Sequence, residues 1–98
     1  MIMNVVTFRW AADVTKLDVD ALMEELAALP GQIPALSSYR FGSDAGLRPE
    51  SGDFAIVATL PDRASFAAYI EDPMHIQVAA RLRRMASSRT AVQVELPD

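Results

Sequence analysis

The stretch Phe54-Ala55-Ile56-Val57-Ala58-Thr59-Leu60 constrains this chain more than any other. Its aromatic and β-branched residues suit a pleated strand. Side chains alternate across a strand, so Phe54, Ile56, Ala58 and Leu60 point one way and Ala55, Val57 and Thr59 the other. Both sides are largely apolar, and apolar surface left in water is costly. The chain has 98 residues, enough for one domain and too few for two. We expect a single domain over residues 1–98 with a thin stability margin. Apolar surface that it cannot cover itself will seek a partner.

The elements around this strand can be placed by their periodicity. Ile2 to Trp10 reads as a first strand, with Asn4, Val6, Phe8 and Trp10 on one side and Met3, Val5, Thr7 and Arg9 on the other. A helix follows, capped by Thr15 or Asp18, with Val19, Leu22, Met23, Leu26 and Leu29 as its apolar stripe. Pro30-Gly31 ends it. Leu36 to Gly42 reads as the second strand, and Ser43 to Gly52 as a loop in which Gly46 and Gly52 can take angles that other residues resist. After Leu60, Asp62 caps a short helix running to about Ile70. Proline fits the first turn of a helix and not its middle, so Asp72-Pro73 starts a new one. On that helix His75, Val78, Ala79, Leu82, Met85 and Ala86 share a face. Thr90 to Leu96 is the last strand.

The order is β-α-β-β-α-β, an α+β ferredoxin-like arrangement in which helices cover one face of a four-stranded antiparallel sheet. Nothing in the chain covers the other face, which carries Met3, Val5, Ala55 and Val57. Burying each of the larger side chains is worth about 1.5–3 kcal/mol. A second copy packed face to face buries the same residues twice, so we expect a twofold homodimer closed into a dimeric α/β barrel.

Charge and composition narrow the partners. Net charge is −4, which argues against nucleic acid as a partner, because phosphate binding needs a basic face. Arg81, Arg83, Arg84 and Arg89 read as a solvated outer face balancing an acidic protein. There is no cysteine, and a zinc site is poorly served by a single histidine. No apolar run approaches the roughly 20 residues that span a bilayer, and the start of the chain lacks a signal-peptide pattern. We therefore expect no membrane partner and a cytoplasmic location. Neighbouring acidic residues such as Glu24-Glu25 and Glu71-Asp72 do not face each other on a helix, and the glycines form no phosphate-binding pattern.

Four segments resemble the stress-responsive A/B barrel (Dabb) family, in the family's order and over nearly the whole chain. They are Asn4-Val5-Val6-Thr7-Phe8-Arg9, Leu29-Pro30-Gly31-Gln32-Ile33-Pro34, Gly52-Asp53-Phe54-Ala55-Ile56-Val57 and, most specific, Tyr69-Ile70-Glu71-Asp72-Pro73-Met74-His75. The resemblance implies a dimeric ferredoxin-like barrel with a small apolar cavity between sheet and helices. A few members are polyketide cyclases that close a ring by aldol chemistry without metal or organic cofactor. They use a tyrosine and a histidine at positions matching Tyr69 and His75. Many members also carry a histidine on the first strand. Here that position is Asn4, which can hydrogen-bond but cannot shuttle a proton near neutral pH.

His75 is the single histidine, placed in the first turn of a helix and facing inward. Partial burial and the positive helix end both disfavour its charged form, and a neutral imidazole is what a general base needs. In this reading His75 removes a proton alpha to a carbonyl and Tyr69 donates to the developing oxyanion. Asn4 is a buried amide that serves as a ligand contact or a structural tie. The walls come from Val6, Phe8, Leu22, Leu26, Ile56, Leu82 and Met85. The function implied is a cofactor-independent, homodimeric small-molecule protein of the cyclase or lyase type, acting on a polyketide-like or other carbonyl substrate. The alternatives are a non-catalytic, stress-related binding protein for an apolar ligand and a cofactorless dimeric-barrel monooxygenase acting on an electron-rich aromatic.

Overall fold

The computed structural model describes residues 1–97. Strand β1 (Ile2–Trp10) leads through α1 (Lys16–Ala28) and a 3₁₀ turn (Leu29–Gly31) to β2 (Ser38–Ser43) and β3 (Phe54–Leu60). Helices α2 (Arg63–Glu71) and α3 (Pro73–Met85) follow, and β4 (Ala86–Glu95) closes the sheet. The strand order is β2-β3-β1-β4, with every neighbouring pair antiparallel. This is the ferredoxin-like arrangement with its second helical segment split in two.

Local chemistry sets each boundary. Thr15 caps α1: its hydroxyl accepts from the Asp18 amide at 3.2 Å, while the Asp18 carboxylate accepts from the Thr15 amide at 2.9 Å. Such reciprocal capping satisfies two otherwise orphaned amides. Thr15→Ala is expected to cost about 1 kcal/mol, seen as a Tm drop of about 4–8 °C in thermal unfolding. Asp62 caps α2 through the Ser65 amide, and Asp72 caps α3 through the Met74 amide, both at 2.8 Å. Asp72 is extended (ψ 131°) because Pro73 follows it, and this is what divides α2 from α3.

Three sequence expectations need correction. Strand β2 begins at Ser38 rather than Leu36, because the Leu36 amide turns back to the Ile33 carbonyl and pairing with β3 starts at Ser37. Strand β4 begins at Ala86 rather than Thr90: Ala86 is already extended (ψ 135°) and pairs with Trp10, so it leaves the helix face on which it was expected. Ser87, Ser88 and Arg89 read as loop because they lie on a solvated edge strand. Of the two loop glycines, Gly46 has a positive φ (76°) but Gly52 does not. A Cβ on Gly52 would lie 3.1 Å from the Phe8 carbonyl oxygen, so close backbone approach is what excludes a side chain there.

The core lies between the helices and one sheet face. Leu22, Leu26, Leu29, Ala58 and Leu60 have no solvent exposure at all. Among the described residues nothing covers the opposite face. Across it Val57, Val5 and Val92 form one row and Thr59, Met3 and Val94 the next. Val92 is 52% exposed and Val94 39%, so the open apolar face extends onto β4, beyond the residues expected to form it.

Candidate functional site

A pocket of about 200 Å³ opens between the covered face of the sheet and helices α2 and α3. A cavity of about 150 Å³ already admits a benzene-sized ring. The sheet supplies Asn4, Val6 and Phe8 from β1, Tyr39 from β2 and Ile56 from β3. Helix α2 supplies Phe66, Tyr69 and Ile70. Helix α3 adds His75 from its first turn and, further along, Val78, Leu82 and Arg83. Arg89 and Gln93 reach in from β4.

The Asp72-Pro73 break brings the two chemical side chains together. It ends α2 just after Tyr69 and makes His75 the third residue of α3, so the rings meet across the junction with centroids 4.3 Å apart. His75 Nδ1 lies 3.3 Å from the Ile70 carbonyl oxygen. A carbonyl can only accept, so this contact is a hydrogen bond when Nδ1 carries the proton. That tautomer leaves Nε2 as the basic nitrogen. Burial holds the His75 pKa below the ordinary histidine value, with Arg83 and Arg89 pushing the same way and the Ile70 carbonyl and Asp72 opposing. Burial therefore acts as expected, and the two arginines are the charged groups that add to it.

Tyr69 is 2% exposed, and burial raises its hydroxyl pKa. Tyr39 packs edge-on against it, with centroids 6.5 Å apart. Burial pushes the Tyr39 hydroxyl up strongly, and its neighbour Tyr69 adds to the rise. Tyr39 in turn holds back the rise at Tyr69. Asn4 is 5% exposed. Its side-chain oxygen accepts from Gln93 Nε2 at 2.8 Å, from the residue opposite it on β4. It is thus tied to the sheet and also lines the pocket.

The structure gathers His75, Tyr69, Asn4, Val6, Phe8, Ile56 and Leu82 around one space. Leu22, Leu26 and Met85 stand outside that lining and pack in the core. Tyr39 was missed because an isolated tyrosine on a short strand carries no sequence signal beyond β propensity. In the basic cluster Arg83, Arg84 and Arg89 are exposed, as expected of an outer face, and Arg81 is half-buried. Arg81 pairs with Glu25 of α1 at 3.0 Å, while Arg83 and Arg89 border the pocket. Arg89 belongs to β4 and not to the helix, a consequence of the early strand start. Among the described residues no group of three or more His, Asp and Glu side chains converges as metal ligands would. Among the described residues no helix is long and apolar enough to cross a membrane.

A family model described as the stress-responsive A/B barrel domain matches residues 2–96. Among solved structures, a dimeric ferredoxin-like protein of unknown function from Thermobifida fusca superposes with a TM-score of 0.91 at 39% identity, covering 97% of this chain and 90% of its own. A hydroxynitrile lyase from Passiflora edulis gives 0.87 at 15% identity, over 99% and 94% of the two chains. An antibiotic biosynthesis monooxygenase gives 0.80 at 16% identity, over the full length of both. At those lower identities the likeness is one of fold. A search of curated proteins finds no match.

Proposed function

The chain belongs to the stress-responsive A/B barrel domain family, and from that premise we propose that it is a homodimer whose pocket performs proton transfer on a small carbonyl substrate without a cofactor. The observation that carries this reading is the His75–Tyr69 pair, 4.3 Å apart in one pocket, with the imidazole held toward its neutral form. In the proposed step His75 Nε2 takes a proton from the carbon next to a carbonyl. The C–H electron pair moves toward the carbonyl oxygen, and the Tyr69 hydroxyl donates a hydrogen bond to the enolate oxygen that forms. The imidazolium then returns the proton. A ring-closing aldol step or a lyase step uses the same enolate-and-acid machinery. The fold hosts catalysis in other chains, since its structural neighbours include a lyase and a monooxygenase.

The homodimer, closed into an α/β barrel by two facing sheets, is supported by the open apolar face and by the dimeric state of the Thermobifida relative. A cytoplasmic location goes with the same proposal, because a cysteine-free chain suits a reducing compartment.

Isotope exchange tests the chemistry without knowledge of the natural substrate. The α-protons of 4-phenylbutan-2-one in D₂O are followed by NMR with and without protein. Exchange well above buffer is expected, and Tyr69→Phe should slow it about a hundredfold by removing the oxyanion donor. A ketone that binds but exchanges no faster than in buffer would overturn the catalytic reading in favour of a binding protein. Oxygen uptake with an electron-rich aromatic would replace it with a monooxygenase.

A further inference from the structure

We propose that the ligand of this pocket is an acid: a small molecule whose apolar, carbonyl-bearing body lies against the sheet and whose carboxylate sits at Arg83 and Arg89. The proposal rests on the small-molecule reading of the pocket and adds the class of molecule. Its first support is a reversal of charge. The chain carries 13 acidic and 9 basic residues, yet among the described residues the pocket lining holds two arginines and no carboxylate. A chain with an excess of acidic residues that keeps them out of one cavity, and places cations there, has a site suited to an anion.

The second support is where the two cations come from. Arg83 stands near the end of α3 and Arg89 on β4, the two elements that bound one side of the opening. They converge because β4 follows α3 without a loop, so the chain reverses between them. Arg48, Arg63 and Arg81 each have a carboxylate partner. The Arg83 and Arg89 guanidinium groups make no ion pair or hydrogen bond among the described residues; Arg40 and Arg84 share that state, but only Arg83 and Arg89 border this pocket. Both border the same pocket as His75, the group that would handle the substrate, where the Asp72 carboxylate is the charge that opposes them. Guanidinium forks match the planar geometry of a carboxylate, and a charge-assisted hydrogen bond is stronger than a neutral one.

The interior complements this arrangement. Val6, Phe8, Ile56 and Leu82 give the body of the ligand an apolar bed, while polar Gln93 lies with the arginines on the β4 side. A ligand held by its carboxylate at Arg83 and Arg89 has one orientation. Its carbonyl end is then directed inward, where Tyr69 and His75 are.

The test compares 4-phenylbutanoate with its neutral amide, 4-phenylbutanamide, by calorimetry on the full chain at pH 7.5. The acid is expected to bind about tenfold tighter. Arg83→Gln and Arg89→Gln should each reduce that ratio several-fold, and the double variant should bring it close to one. In the unaltered protein the ratio should also shrink as salt is raised, a readout that holds if a variant folds poorly. Equal affinities for acid and amide, no binding of the acid at millimolar concentration, or a ratio untouched by both the double variant and salt would overturn the proposal. So would inorganic phosphate binding as tightly as the acid, because the apolar body would then contribute nothing. The outcome is separable from that of the exchange assay. Ketone exchange without acid preference removes this inference alone, and acid preference without exchange removes only the catalytic reading.

Discussion

Val5→Asp is expected to abolish the dimer, raising its dissociation constant about a thousandfold or more. Val5 lies in the middle of the row Val57–Val5–Val92 on the sheet face that no helix covers. In a twofold dimer each substitution appears twice, so two carboxylates enter a dry interface without partners. Stranding a charge in this way costs several kcal/mol per ion, and 4.1 kcal/mol is a factor of about a thousand. In the lone subunit the position is only half buried. There the change costs about 1 kcal/mol of strand preference, since water reaches the new carboxylate. Sedimentation velocity at micromolar concentration, with circular dichroism alongside, reads both effects. Loss of fold together with loss of the dimer is the stronger form of the same result, because an obligate dimer has no stable folded monomer. A dimer that persists in Val5→Asp would place the interface elsewhere.

His75→Ala is expected to lower ketone exchange by about 10²–10⁴-fold, the usual contribution of a positioned general base. The remaining side chains cannot substitute. The Asn4 amide cannot take up a proton near neutral pH, and the Tyr69 and Tyr39 hydroxyls are pushed further from ionisation by burial. The pH dependence follows from the direction of the His75 shift. Its folded-state pKa lies below the ordinary histidine value of 6.5, so the neutral imidazole persists to lower pH than in a free histidine. The exchange rate should therefore hold as pH falls through 6.5 and decline only below it. Stability falls in the same direction but begins to do so at higher pH than the rate. Below 6.5 the unfolded chain takes up a proton that the folded chain resists, so stability falls with pH in that window, and His75→Ala should flatten the slope. A rate that already halves above pH 6.5, or an alanine variant as active as the parent, would remove His75 as the base.

Much of the fold was legible because periodicity reports which face of an element is apolar. The α1 stripe of Val19, Leu22 and Leu26 is buried as spaced, and the Asp72-Pro73 break falls where proline geometry requires it. The start of β4 was not legible. Its edge position lets Ser87, Ser88 and Arg89 stay polar while their backbone still pairs with β1, so composition and strand pairing disagree. For the site, sequence pointed to Tyr69 and His75 through a family motif, and to Asn4, Val6, Phe8, Ile56 and Leu82 through facing. It overreached with Leu22, Leu26 and Met85, since facing the core does not tell a wall from a filled interior.

The chain's own sequence determined the elements, their caps and the need for cover on both sheet faces. These follow from local torsional preferences and from side-chain alternation within single segments. Tertiary structure alone decided where packing stops short and leaves a pocket. It also brought Tyr39 from β2 against Tyr69, and set Arg83 and Arg89 beside an imidazole from another turn of chain. Such meetings join residues far apart in sequence, and they depend on how the helices lie across the sheet, a geometry that no single segment encodes.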